Sequence, residues 1–117
     1  MRLMSNESSA ATDYYLLKLI SEKPAISQRS LADELGLSLG KTNYCLKACI
    51  SRGLISVDRF RRSDNKRAFA YLLTPLGVEE KARMTLAFLH YKMQEYERLR
   101  SEIDALRIEA QDLPGDH

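Results

Sequence analysis

Tryptophan is absent from this 117-residue chain, and cysteine, proline and glycine are scarce, at two, three and five residues. No apolar run approaches the roughly 20 residues that a membrane-spanning helix needs, so the sequence predicts no membrane segment. The N-terminal stretch MRLMSNESSAATDYY has no apolar core of the kind found in secretory signals, and we therefore expect a cytoplasmic protein. Apolar residues at 44% and charged residues at 29% are ordinary values for a small soluble domain.

The patterns that would indicate an enzyme or a metal site are also missing. Cys45 and Cys49 lie four residues apart, which is not a CxxC pair, and no His or Cys cluster completes a zinc site. They are interpreted either as small buried side chains or as a redox switch, which needs an exposed thiol of low pKa. His90 and His117 have no catalytic partner at a diagnostic spacing, and no glycine-rich phosphate loop is present. We therefore predict no enzymatic activity, no metal and no cofactor.

Positive charge is concentrated in the middle of the chain, although the net charge is only +2. Residues 29–75 hold nine Lys and Arg against four Asp and Glu, whereas residues 76–117 hold six against nine. The stretch RFRRSDNKR contains five of these cations, Arg59, Arg61, Arg62, Lys66 and Arg67. Such a cluster repels itself unless a polyanion is nearby, so it favours a polyanionic partner over a merely solvated run of charge.

Capping residues and apolar spacing predict helices in the first third of the chain. The first covers residues 8–22 and ends before Pro24. The second covers about residues 28–35, with Ser27 as its N-cap and Gly36 suited to the position after its end.

A third helix, LGKTNYCLKACISR, is predicted between Ser38 as N-cap and Gly53 as stop signal. Two short helices joined by a three- or four-residue turn that contains glycine form a helix-turn-helix. The inward stripe of the third helix is predicted to be Thr42, Cys45, Leu46 and Cys49. The opposite face is either a solvated surface or a set of groups suited to the major groove of DNA: Gly40, Lys41, Asn43, Tyr44 and Lys47.

After the third helix the apolar period changes from that of a helix to that of a strand. The segments LISVDRF and AFAYLLT alternate in polarity, and RRSDNK between them supplies turn-forming residues, so we predict a β-hairpin. Phe69, Tyr71 and Leu73 should share one face of it.

The charged hairpin tip is a candidate for DNA backbone contacts. Its Arg and Lys side chains can reach phosphates beside the groove, and one arginine can enter the minor groove. Asp64 is interpreted as a turn-forming residue that pairs with Arg67 or Arg62 rather than as a DNA contact. Gln28 and Arg29 open the second helix, where free N–H groups attract phosphate, so we add them to the candidates.

The last helix is predicted to begin at Pro75, capped by Thr74, and to run to about Leu113. A helix of about 37 residues is about 55 Å long, which exceeds a small domain. Near-heptad spacing gives it one apolar stripe, Leu86, Leu89, Met93, Tyr96, Leu99, Ile103, Leu106, Ala110 and Leu113. Packing on the rest of the chain could cover the start of this helix as far as Leu86, but not Ile103 to Leu113. We therefore expect a coiled coil with a second copy, hence a homodimer.

The element order is helix, helix, turn, helix, two-stranded wing and long helix. It predicts a mainly α fold with a small β-hairpin, that is, a winged helix-turn-helix with a long C-terminal dimerisation helix. We place the winged helix-turn-helix at residues 8–75 and the dimerisation helix at residues 76–113.

The stretches LADELGLSLGKTNYCLKACISRGLI and RRSDNKRAFAYLLTPLG resemble winged helices of the MarR (multiple antibiotic resistance regulator) type. Within that family they look most like the short subgroup found with exopolysaccharide biosynthesis functions. The resemblance covers about residues 12–80 and implies a dimeric transcription regulator that binds DNA sequence-specifically. It assigns Ser38, Gly40, Lys41, Asn43, Tyr44 and Lys47 to the recognition-helix surface, and Arg62, Asp64 and Arg67 to the wing. Most family members are longer, with two C-terminal helices, and no small-molecule effector is predicted here.

We therefore expect a homodimeric regulator of double-stranded DNA that binds a pseudo-palindromic operator and has no membrane partner. The main alternative is a winged-helix interaction module whose long helix binds a different protein. RNA binding is a third interpretation, but the sequence offers no evident aromatic platform for unstacked bases.

Overall fold

The computed structural model describes the backbone of residues 9–61 and 67–115, and the side chains of residues 11–59 and 69–115. Its elements are α1 (Ser9–Glu22), α2 (Gln28–Leu35), α3 (Leu39–Ser51), β1 (Ile55–Arg61), β2 (Arg67–Leu73) and α4 (Pro75–Gln111). This confirms the predicted fold class, a mainly helical chain with one antiparallel hairpin. The chain divides into two compact units, Met1–Thr85 and Leu86–His117, and the predicted boundary after residue 75 stays a prediction.

The core of the first unit is formed by apolar side chains from all three short helices and from the start of β1. Helix α1 contributes five of the fourteen described buried apolar residues, more than any other element, because it packs against α2, α3 and β2. The fully buried large side chains are Leu16, Leu17, Ile20, Leu31, Leu35, Leu46, Leu54, Thr42 and Cys49. Thr42, Leu46 and Cys49 confirm most of the predicted inward stripe of α3, whereas Cys45 is only half-buried.

The predicted caps set the bounds of α2 and α3. Ser27 Oγ accepts a hydrogen bond from the backbone N–H of Ser30, and Ser38 Oγ accepts one from Lys41, both at 3.1 Å. Gly36 ends α2 in the left-handed conformation, at φ 72°, where a side chain would be strained. The turn between the two helices is therefore short and fixed at both ends.

The hairpin has a regular antiparallel register in which Ile55 pairs with Leu73, Val57 with Tyr71 and Arg59 with Phe69. Paired residues point to the same face, so these six side chains share one side of the wing, as predicted for Phe69, Tyr71 and Leu73. Side chains on this face are more exposed toward the tip: Tyr71 is 8% exposed and Phe69 is 46% exposed. Each strand lies one residue nearer the tip than predicted.

A tight corner joins the end of α3, the start of β1 and the start of α4. Thr74 donates its backbone N–H to the Leu54 carbonyl, at 3.0 Å, and its hydroxyl to the Gly53 carbonyl. The Thr74 hydroxyl also accepts from the backbone N–H of Gly77, at 3.0 Å, which confirms the predicted cap of α4. A Cβ on Gly77 would lie 2.0 Å from the Leu54 oxygen, so only glycine permits this approach.

Helix α4 ends at Gln111, two residues before the predicted end. In the second unit the large side chains of its apolar stripe are exposed, between 40% for Ile103 and 69% for Leu86, whereas Phe88 is half-buried. Within-helix ion pairs, Lys92 with Glu95 and Arg98 with Glu102, lie among them. Among the described residues, no helix combines the length and the apolar character required to cross a bilayer.

Candidate nucleic-acid interface

The outward face of α3 presents polar and cationic side chains to solvent. Lys41, Tyr44 and Lys47 are exposed, and the Lys41 ammonium lies 5.6 Å from the centre of the Tyr44 ring. This cation–π contact restrains both side chains while leaving both exposed to solvent. Gly40 is exposed, and a Cβ built on it would meet nothing within 4 Å, so the first turn of α3 is open to a close partner.

Asn43 is the exception on this face, because it is half-buried and its amide is held by the protein. Its Nδ2 donates to the side-chain Oε1 of Gln28 at 2.8 Å. The Nε2 of Gln28 in turn donates to the Tyr71 hydroxyl at 3.3 Å. A chain of hydrogen bonds therefore joins α3, the first residue of α2 and the second strand of the hairpin.

The hairpin face that carries Tyr71 also carries cationic charge further out. Arg59 is exposed, and its guanidinium lies 5.8 Å from the centre of the Phe69 ring across the strand pair. A cation held over an aromatic face keeps its charge while losing side-chain freedom. Beyond this pair, Arg61 is opposite Arg67 in the backbone register.

The structure brings some of the predicted site residues together. Asn43 and Gln28 are in direct contact, and the wing joins them through Tyr71, whose backbone N–H also donates to the Pro24 carbonyl at 2.9 Å. Arg29 is exposed beside Gln28 on the first turn of α2.

Two of the candidates already have partners inside the protein. The Gln28 amide bonds to Asn43 and Tyr71, and the Ser38 hydroxyl caps α3. The proposed DNA contacts of both residues stay predictions.

Some predicted site residues fall outside this description. Arg62, Asp64 and Lys66 lie outside the described residues, as do the side chains of Arg61 and Arg67. The roles assigned to the tip therefore stay predictions.

Tyr71, in contrast, was not among the predicted site residues. Its strand alternation predicts a common face with Phe69 and Leu73, but no local sequence signal links its hydroxyl to a residue 43 positions away.

The cysteines on α3 are poorly suited to redox chemistry. Burial first, and then the carboxylate of Asp13, raise the pKa of the Cys49 thiol to about 11, against a lowering by Arg52. Burial also raises the pKa of Cys45, against a smaller lowering by Lys41. Because the thiolate is the reactive form, these shifts favour the interpretation of both residues as small packing side chains.

Comparison with known proteins supports the same fold. A family model described as winged helix-turn-helix DNA-binding matches residues 10–56, which is less than half of the chain. No curated protein sequence matches significantly.

Among solved structures, the chain is similar to smu.1704 from Streptococcus mutans, with 20% identity and a TM-score of 0.68 over 83% of this chain and 94% of that one. It is also similar to the MarR family protein Rv2887 of Mycobacterium tuberculosis, crystallised with p-aminosalicylic acid, with 15% identity and a TM-score of 0.61 over 86% and 77%. Streptococcus pneumoniae FabT in complex with DNA gives 17% identity and a TM-score of 0.52 over 92% and 78%. These likenesses show that the chain has the winged helix-turn-helix fold found in MarR-family structures.

Proposed function

We propose that this protein is a cytoplasmic, sequence-specific regulator of transcription of the MarR type that binds double-stranded DNA as a homodimer. The observation that carries the proposal is the hydrogen-bonded link from Asn43 through Gln28 to Tyr71. It holds the wing beside the exposed cationic face of α3, so that Lys41, Lys47 and Arg59 can contact one duplex. The DNA-binding description of the family model that matches residues 10–56 supports it.

The groups on this surface divide into two kinds of DNA contact. Asparagine can form two hydrogen bonds with adenine in the major groove, and lysine can bind guanine or phosphate, so α3 is assigned to that groove. The wing cations, with Arg29 at the start of α2, are assigned to the flanking phosphates. Only the first kind distinguishes sequences, whereas the second fixes position and supplies most of the salt-dependent affinity.

The exposed stripe on α4 is assigned to a second copy of the chain. The large side chains of that stripe, from Leu86 to Leu113, are at least 40% exposed, and a coiled coil of two such helices would cover them. Two recognition helices related by a two-fold axis then bind half-sites about 10–10.5 base pairs apart, or a multiple of that spacing. The resemblance to the exopolysaccharide-associated subgroup suggests genes of that pathway as targets.

Selection of bound sites from random DNA, followed by a salt titration on the selected site, tests DNA binding. If about 6–8 phosphates are neutralised per dimer, log affinity should fall against log salt with a slope near −5 to −7. Arg59→Ala should weaken binding to all sequences similarly and make the slope shallower by about 1 per contact, whereas Asn43→Ala should lose about 1–3 kcal/mol of discrimination at one base pair. Weak, salt-insensitive DNA binding with a stable complex with another protein would support the interaction-module alternative instead.

A pair of variants on α4 tests the homodimer. Leu99→Glu places a carboxylate in the exposed apolar stripe, and Ser101→Glu places one on the opposite side of the same helix. We expect sedimentation equilibrium to show a monomer or a much weaker dimer for Leu99→Glu only. Equal dissociation constants for both variants and the wild type would contradict the assigned interface.

A further inference from the structure

Three side chains from three different elements meet at the edge of the proposed DNA surface. Tyr71 is 8% exposed, and its backbone N–H bonds to the Pro24 carbonyl at 2.9 Å, so both its ring and its main chain are fixed. The Gln28 side chain bridges the other two: its Nε2 donates to the Tyr71 hydroxyl at 3.3 Å, and its Oε1 accepts from the Asn43 amide at 2.8 Å. An anchored aromatic residue thus restrains a flexible one, which in turn restrains Asn43.

The bridge uses only one of the polar groups of the Asn43 amide. One Nδ2 hydrogen is used by Gln28, which leaves the second Nδ2 hydrogen and Oδ1. Within the described part of the chain, Oδ1 accepts no hydrogen bond. A donor and an acceptor side by side match the N7 and N6 groups of adenine in the major groove.

We propose that Tyr71 is a positioning residue for base recognition: through Gln28 it holds the Asn43 amide in the plane that reads an A·T base pair. The inference rests on the proposed function, because it concerns the sequence specificity of the same DNA surface. A free asparagine must lose rotational freedom on binding, and an amide already held in place loses less. The hydroxyl of Tyr71 therefore contributes to discrimination without contacting DNA.

The test compares binding to the selected operator with binding to operators altered at single base pairs. Asn43→Ala first identifies the base pair that Asn43 reads. Tyr71→Phe removes only the hydroxyl, and it should lower discrimination at that same pair by about three- to tenfold, the usual effect of one hydrogen bond. Its affinity for random DNA and its salt slope should match those of the wild type. Tyr71→Phe should add no further loss in an Asn43→Ala background, because both act through one amide.

Two further variants separate positioning from general damage to the fold. Gln28→Met removes the middle link at similar side-chain length, and it should reduce discrimination at the same base pair even if Tyr71→Phe is poorly folded. Tyr91→Phe removes a hydroxyl on α4 at a position that belongs neither to this surface nor to the apolar stripe, and it should leave discrimination unchanged.

The outcomes distinguish the two proposals. A wild-type protein with no sequence preference overturns both the proposed function and the role of Tyr71. A wild type that discriminates, together with Tyr71→Phe and Gln28→Met variants that discriminate equally well, overturns only the role of Tyr71. Uniform weakening on all DNA, or additive losses in the double variant with Asn43→Ala, also overturns it, because either result means that the hydroxyl acts on the fold as a whole.

Discussion

Adding one methyl group should have opposite effects on stability at two helical glycines of this chain. At Gly77, near the start of α4, a Cβ would lie 2.0 Å from the Leu54 carbonyl oxygen and 3.0 Å from its carbonyl carbon. Ordinary contact between such atoms begins at about 3.5 Å, so Gly77→Ala requires the backbone to move by more than about 1 Å. At Gly40, in the first turn of α3, the added methyl group would meet nothing within 4 Å.

The backbone facing Gly77 is held on both sides, so the movement must break contacts. Leu54 donates its N–H to the Cys49 carbonyl and accepts from the Thr74 N–H, each at 3.0 Å. Overpacking costs about 1–3 kcal/mol, and loss of one hydrogen bond costs about 1 kcal/mol. Alanine recovers up to about 1 kcal/mol through its better helix propensity, so the net destabilisation is about 1–3 kcal/mol. Gly40→Ala meets no opposing contact and should stabilise by about 0.5–1 kcal/mol.

Urea unfolding followed by circular dichroism measures both effects at one fixed protein concentration, because the proposed dimerisation would shift the midpoint. The midpoint should fall for Gly77→Ala and rise slightly for Gly40→Ala, with unchanged slopes. If Gly77→Ala unfolds at or above the wild-type midpoint, the close approach between α4 and Leu54 is refuted.

Three further predictions concern α3 and are measured on the purified chain. Ser38→Ala removes the N-cap and should lower the free energy of unfolding by about 0.5–2 kcal/mol, whereas Ser51→Ala at the other end should change it by less than about 0.5 kcal/mol. Leu46→Ala truncates a side chain that is 1% exposed and should lower the free energy of unfolding by about 2–5 kcal/mol. A change under about 1 kcal/mol would contradict the described core. In a Cys45→Ser variant at pH 8, Cys49 should be alkylated about 100-fold more slowly than a thiol of pKa 9, because its pKa of about 11 leaves about 100-fold less thiolate. The rate should rise with pH up to that value, and fast labelling at pH 8 would restore the redox interpretation.

The sequence predicted the parts of the fold that depend on local chemistry. Ser27, Gly36 and Ser38 act within three or four residues of their own positions, and their roles as caps are confirmed. The strand alternation around Tyr71 was equally local, and the register confirms it to within one residue at each end. The heptad spacing on α4 indicated an apolar stripe, and its side chains are exposed in the single chain.

The sequence could not predict the contacts that depend on distant parts of the chain. The close approach at Gly77 could not be predicted, because nothing nearby in the sequence shows that Leu54 lies against it. Gln28 and Asn43 were interpreted independently as DNA contacts, and the hydrogen bond between them depends on the crossing of α2 and α3. Side chains such as amides and hydroxyls bond to whatever the fold places beside them, so their partners follow from tertiary structure.

The corner at Gly53 and Leu54 also restricts how this fold can vary in length. These two residues lie between the end of α3 and the start of β1. Their carbonyl groups also accept hydrogen bonds from Thr74, and the first turn of α4 packs against Leu54. One residue inserted before Ile55 would turn β1 over, so that Ile55 and Val57 point away from the core and Ser56 points into it. Natural relatives should therefore gain and lose residues elsewhere, and a domain or tag inserted at this corner should abolish folding.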